Sequence, residues 1–295
     1  MSEQSQIDQL NTKFAIGDAL QFKPHESGLV VGQVACELCD AQFFLHGAHV
    51  TSFHPKGHGQ PLLFMSDKSV FDDRKAIRGG IPICFPWFSS HPTDKDAPAH
   101  GFARIQNWEM VRAFDEEDGA IVVELRTSVD PFELVYRIQF ADDLSVRLTV
   151  QNTGNEHAQF EVALHSYFVI SDTKNVRITG LEQARFVDQL KENQEFDPSS
   201  EPIVFEREFD RIYIDTDATV SIHDSEYDRV IEIEKLNSHS TVVWNPWAEK
   251  SQRMADFGDA EYHRMCCVET ANIRQNAILL QPDEKHTTGC IHRIL

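Results

Sequence analysis

Leu134-Val-Tyr-Arg-Ile-Gln-Phe140, followed after Ala141-Asp142-Asp143 by Leu144-Ser-Val-Arg-Leu-Thr-Val150, decides the fold. Leu134, Tyr136, Ile138 and Phe140 share one face of an extended chain, and Leu144, Val146, Leu148 and Val150 do the same after the turn. This is an antiparallel pair with one buried side. Working outward, strand-like runs at 29–34, 42–53, 121–126, 158–164, 211–214, 229–234, 241–245 and 278–280 are separated by turn-forming clusters such as Asn152-Thr-Gly-Asn155 and Asp115-Glu-Glu-Asp-Gly119. Sustained helical periodicity is nearly absent. The pattern predicts an all-β chain, a β-sandwich or a barrel with few short helices, and not an alternating βαβ order. No linker or low-complexity run divides it, so a polar N-terminal extension over residues 1–20 and one domain over 21–295 are expected.

The 295 residues carry 27 Lys+Arg against 47 Asp+Glu, a formal charge of -20, with 41% apolar residues. That balance repels polyphosphate backbones and anionic bilayers, so neither nucleic acid nor a membrane is an expected partner. No apolar run reaches the ~18 to 20 residues of a membrane span. The polar start Met1-Ser-Glu-Gln has neither a basic n-region nor an apolar h-region, and a secretory signal is not expected. Six unevenly placed cysteines are too few for a disulfide framework, which points to a reduced, cytoplasmic protein. No apolar stripe is left over for a second copy, and a monomer is expected. Cys36-x2-Cys39 followed by His54-x3-His58 has a zinc-like spacing, but Pro55 and Gly57 make the histidine segment a turn where a zinc finger needs a helix. There is no GxGxxG or P-loop pattern either, so neither a metal nor another cofactor is expected.

Ile77-Arg-Gly-Gly-Ile-Pro-Ile-Cys-Phe-Pro-Trp-Phe88 holds two glycines and two prolines among apolar and aromatic residues, and reads as irregular backbone packed inside. From Arg74 to Arg112 there are six basic and three acidic residues, a local inversion of the chain's charge that marks a candidate anion site. Arg78 and Arg104 both adjoin glycines, and a guanidinium grips a phosphate or carboxylate by two parallel hydrogen bonds. The alternative is that each arginine pairs with a surface acid.

In Phe160-Glu-Val-Ala-Leu-His165, Phe160, Val162 and Leu164 take one face and His165 the other, away from the core. A free imidazole titrates near neutrality, as acid or base chemistry requires. Glu269 ends the apolar run Met265-Cys-Cys-Val, where burial would raise its pKa and suit a general base, unless it is a strand-end carboxylate in solvent. Trp244-Asn-Pro-Trp247 brackets a turn with two aromatics that serve either as core or as a platform for a sugar ring.

Seven blocks in order resemble the hexose-6-phosphate mutarotases (glucose-6-phosphate 1-epimerases) of the galactose mutarotase-like superfamily: Gly47-Ala-His-Val-Thr-Ser52, the Ile77–Phe88 segment, His100-Gly-Phe-Ala-Arg104, Leu164-His-Ser-Tyr-Phe168, Phe209-Asp-Arg-Ile-Tyr213, Trp244–Trp247 and Cys267-Val-Glu-Thr270. The resemblance implies a large antiparallel β-sandwich, with His165 the general acid and Glu269 the general base of anomer interconversion. It further implies that Arg78 and Arg104 hold a phosphorylated sugar, with His100 and Asp210 as hydroxyl contacts. Some relatives have Gln where this chain has Ala99, and Glu-Pro-Gly where it has Glu269-Thr-Ala271; neither departure removes a catalytic group. The alternative function is a non-catalytic sugar or sugar-phosphate binding module. A metal-dependent enzyme of the same fold is a further rival, and no His-x-His or His-Glu-x-x-His pattern supports it.

Overall fold

The computed structural model describes residues 3–295. Residues 132–140 and 144–152 form the hairpin that the alternation predicts, with Phe140 opposite Leu144 across the turn. All eight apolar positions of the pattern are buried to within 1%. Full burial of such side chains contributes about 1.5 to 3 kcal/mol each, which sets this register against a one-residue slip.

Two eight-stranded sheets dominate. The back sheet runs in the order 176–179, 220–224, 229–236, 285–294, 144–152, 132–140, 121–129, 109–115. The front sheet runs 194–196, 186–188, 209–214, 240–245, 265–272, 162–164, 83–84, with 167–169 also pairing with 265–272. A four-stranded sheet covers residues 20–24, 30–35, 39–44 and 49–55, and a two-stranded one joins 158–160 to 278–280. All paired strands are antiparallel. The main core lies between the large sheets, where Tyr136, Ile138, Val146 and Leu148 of the back sheet meet Leu164, Phe168, Val243 and Val268 of the front one. The chain is thus the all-β sandwich expected.

Two runs read as continuous are interrupted. Residues 42–53 break at Gly47 and Ala48, both at positive φ, and 158–164 breaks at Glu161. Among the described residues there are two α-helices, α1 (Glu3–Phe14) and α2 (Trp247–Arg253). Met1 and Ser2 of the expected extension lie outside the described residues. The rest of its first part is α1, which seats Ile7, Leu10 and Phe14 against the core. Asn11 ties the helix to the edge strand 20–24 through a reciprocal pair of 2.8 Å hydrogen bonds with the Phe22 backbone. Among the described residues no helix is long and apolar enough to cross a membrane.

Candidate active site

Strand register assembles the site. Leu164 pairs with Thr270 and Tyr167 with Cys267; the pairing lapses at 165–166 but keeps the same offset on both sides, which brings His165 beside Glu269. Glu269 is in turn opposite Val242, and Asp210 opposite Trp244. Because side chains alternate along a strand, His165, Tyr167, Glu269, Cys267, Val242, Trp244 and Asp210 all stand on one face of the front sheet. Leu164, Phe168, Cys266, Val268 and Val243 stand on the other, in the inter-sheet core.

The first face floors a cleft of about 970 Å³. Its lining includes His165, Glu269, Arg78, His100, Asp210 and Trp244. Five of the six residues picked out from the sequence are therefore brought together. The sixth, Arg104, lines a smaller adjoining cavity, which Arg78 also lines.

His165 Nε2 lies 3.4 Å from Glu269 Oε1. The glutamate is only 1% exposed and the histidine 7%, so neither is a solvent group. Burial, reinforced by Asp210, pushes the Glu269 carboxyl well above the usual range. Burial, with His100, Arg78 and Arg104 nearby, pushes His165 well below its own. The near-neutral titration expected of a free imidazole therefore does not hold for His165, because desolvation disfavours its cation. Burial favours the neutral forms and the short separation favours an ion pair. Two groups this close titrate as a unit, and a single proton shared between them satisfies both tendencies.

Irregular backbone carries the rest of the constellation. Arg78 precedes Gly79 and Gly80, and a Cβ on Gly80 would sit 2.1 Å from the Val50 carbonyl oxygen at a φ of 59°. Only glycine allows that approach. Buried His46 and His49 pin the loop by donating from Nε2 to the Lys75 and Gly79 carbonyls at 2.7 and 2.8 Å. Arg78 donates through Nε and Nη2 to Asp256 Oδ2, at 3.2 and 3.1 Å, and through Nη1 to the Tyr167 hydroxyl at 2.9 Å. Arg104 donates to the Ala99 carbonyl at 2.7 Å, and its buried Nε meets no acceptor among the described residues. Among the described residues Arg78 forms an ion pair, with Asp256, while Arg104 forms none and feels Asp256 only at longer range.

His100 has φ of 61°, and its Nδ1 accepts from the Ser89 N–H at 3.2 Å. That fixes the neutral tautomer with hydrogen on Nε2, since burial lowers the ring to about 3. Gly101 follows because a Cβ there would lie 2.0 Å from the Phe85 carbonyl oxygen. Asp210 accepts from Gln189 Nε2 and lies 3.8 Å from Lys250 Nζ; burial raises its carboxyl. Trp244 walls the cleft, edge-on to His165 at 6.0 Å, whereas Trp247 starts α2 and packs on Tyr262. Sequence reasoning gave no separate role to Tyr167, Lys250 or Asp256. Tyr167 sits two residues from His165, and that period-2 spacing was the available signal; nothing marked the other two.

The Cys36 and Cys39 sulfurs are 3.7 Å apart at the head of a hairpin, while His54 Nε2 is 2.7 Å from the His58 carbonyl oxygen. Among the described residues no group of three His, Cys, Asp or Glu side chains converges as a metal site.

The family model described as aldose 1-epimerase matches residues 35–293. A protein of Cenchrus ciliaris named "Putative glucose-6-phosphate 1-epimerase" is 36% identical over 268 residues, covering 84% of this chain and 79% of that protein. One of the same name from Salmonella typhimurium is 32% identical, covering 85% and 86%. A crystal structure described as a putative mutarotase from Salmonella typhimurium superposes with a TM-score of 0.87 at 25% identity, covering 98% of this chain and 99% of that one.

Proposed function

The chain belongs to the aldose 1-epimerase family, and from that premise we propose that it interconverts the α and β anomers of a hexose 6-phosphate, with Glu269 as base and His165 as acid. The observation that carries this reading is the 3.4 Å pair at the floor of a cleft beside Arg104, whose buried Nε meets no acceptor among the described residues. The names of the relatives from Cenchrus ciliaris and Salmonella typhimurium point to the same substrate class.

Ring opening requires a proton to leave the C1 hydroxyl while another reaches the ring oxygen. With the shared proton on His165, Glu269 takes the C1 proton and His165 protonates the ring oxygen as the C1–O5 bond breaks. The sugar is then an open aldehyde, and the pair is neutral. This is the arrangement that burial favours, so the low dielectric assists opening. Rotation about C1–C2 presents the other face of the carbonyl. On closure the C5 hydroxyl adds to C1, His165 takes its proton and Glu269 returns one to the carbonyl oxygen. Protons balance over the cycle, and the pair ends as it began.

Arg78 and Arg104 are assigned to the phosphate, which a guanidinium matches in charge and geometry. His100, a donor through Nε2, and Asp210, an acceptor, are assigned to ring hydroxyls. Polarimetry of freshly dissolved α-D-glucose 6-phosphate tests the proposal: the protein should speed the approach to anomeric equilibrium, and should do so more efficiently than with glucose. No acceleration with the phosphorylated sugar would refute it.

A further inference from the structure

Two cavities meet at Arg78. The larger is the cleft described above; the smaller, of about 430 Å³, is lined by Arg74, Lys75, Arg78, Arg104 and Asp256 among others. Asp256 lies on the segment after α2, whose Met254 lines the cleft and whose Ala255 and Asp256 line the smaller cavity. Its carboxylate takes the Nε–Nη2 edge of Arg78, the edge that would present two parallel donors to a phosphate. The remaining nitrogen, Nη1, is held by Tyr167.

We propose that Asp256 occupies, in the free protein, the place of the substrate's anionic group on Arg78 and is exchanged for it on binding, so that Asp256 sets the selectivity between phosphorylated and unphosphorylated sugars. The substrate named here rests on the hexose 6-phosphate reading above. The physical case begins with the cost of an unpaired charge. Two adjacent guanidinium groups without a counter-ion, one with a buried Nε that finds no acceptor, would be an expensive resting state. One carboxylate offsets one of them and leaves Arg104 to attract the incoming anion. A neutral hexose has nothing to displace Asp256 and leaves the pair intact. A phosphate monoester carries close to two negative charges at neutral pH and competes for the same edge. The exchange keeps Arg78 paired with an anion throughout, so the attraction of a phosphate is reduced but not abolished.

The Arg78 and Asp256 side chains are 25% and 29% exposed, so the competition is partly screened, and about a tenfold effect is expected. Inorganic phosphate is the probe, titrated calorimetrically into the full chain, so that the readout does not depend on turnover. In Asp256→Asn the phosphate Kd should fall about tenfold, and in Asp256→Glu, which keeps the charge, it should stay within about threefold of the unmodified protein. The ratio of kcat/KM for glucose 6-phosphate over glucose should rise in Asp256→Asn. Unchanged or weaker phosphate binding in that variant would mean that the carboxylate only orients Arg78, and would overturn the proposal. Thermal unfolding identifies a variant that has not folded, in which case Asp256→Ser supplies the same change of charge. Tighter phosphate binding in a protein that proves inactive on glucose 6-phosphate would retain the anion seat and remove only the substrate assignment.

Discussion

Tyr167 stacks on His165, with ring centroids 4.7 Å apart and planes 8° from parallel, while its hydroxyl accepts a hydrogen bond from Arg78. One fully buried side chain therefore touches both His165, of the buried His165–Glu269 pair, and Arg78, the arginine proposed to hold the phosphate. The stacking also orients the imidazole plane, which under the proposed mechanism sets the direction of proton delivery.

Tyr167→Phe separates those two contacts, since it keeps the stacked ring and removes only the acceptor for Arg78. A hydrogen bond to a charged group contributes about 1.5 to 3 kcal/mol. The expected result is a KM for glucose 6-phosphate raised roughly tenfold with kcat within a few-fold of the parent. Steady-state kinetics check it, and a fall in kcat at constant KM would place the hydroxyl in the chemistry instead.

Arg104→Ala removes the arginine that no acid neutralises. The loss should fall on the phosphorylated sugar, with kcat/KM reduced by about 10- to 150-fold, while the rate with free glucose changes little. Parallel assays on the two sugars decide it, because equal losses would mean that Arg104 supports the fold and not the phosphate.

Acid should destabilise the protein before its surface carboxylates titrate. Buried His49 and His292 are each lowered to about 3, first by burial, so unfolding lets both bind protons below about pH 6.5. The folded pKa is depressed, so this stability is present above 6.5 and is lost as pH falls towards 3. At pH 5 each histidine costs about 2 kcal/mol relative to pH 7. The opposite shifts of His165 and Glu269 offset one another in the same range. Urea midpoints measured between pH 7 and 5 should fall; a flat profile would contradict the assigned neutral state of these histidines.

Gly101→Ala places a methyl group against the Phe85 carbonyl oxygen at a φ of 74°. Strain of this kind costs about 1 to 3 kcal/mol, which for a chain of this size lowers Tm by several degrees. Differential scanning calorimetry gives the answer directly, and an unchanged Tm would show that the loop carrying His100 yields freely.

The residues themselves explain how far the sequence could be read. The hairpin at 132–152 was legible because one face is buried and the other is not, so alternation shows. The central strand Met265–Asn272 is buried on both faces and shows no alternation, so it was missed as a strand even though Glu269 stood out within it. The face of His165 was read from the six residues Phe160 to His165, but its partner lies 104 positions away, and only strand register brings the two together. Arg78 and Arg104 were marked by local charge and glycine neighbours. Asp256 was one acid among 47, and its role depends on a contact across 178 positions. Helix α1 was hidden by its polar composition, which leaves only Ile7, Leu10 and Phe14 to define a face.

The central claim is that the buried pair moves the protons, and NMR exchange between the anomers of glucose 6-phosphate tests it most directly. Each group is expected to contribute about 10² to 10⁴-fold. His165→Asn and Glu269→Gln should therefore each slow α–β exchange by about that factor, while circular dichroism and Tm show a folded chain. Near-parental exchange in either folded variant would contradict the account.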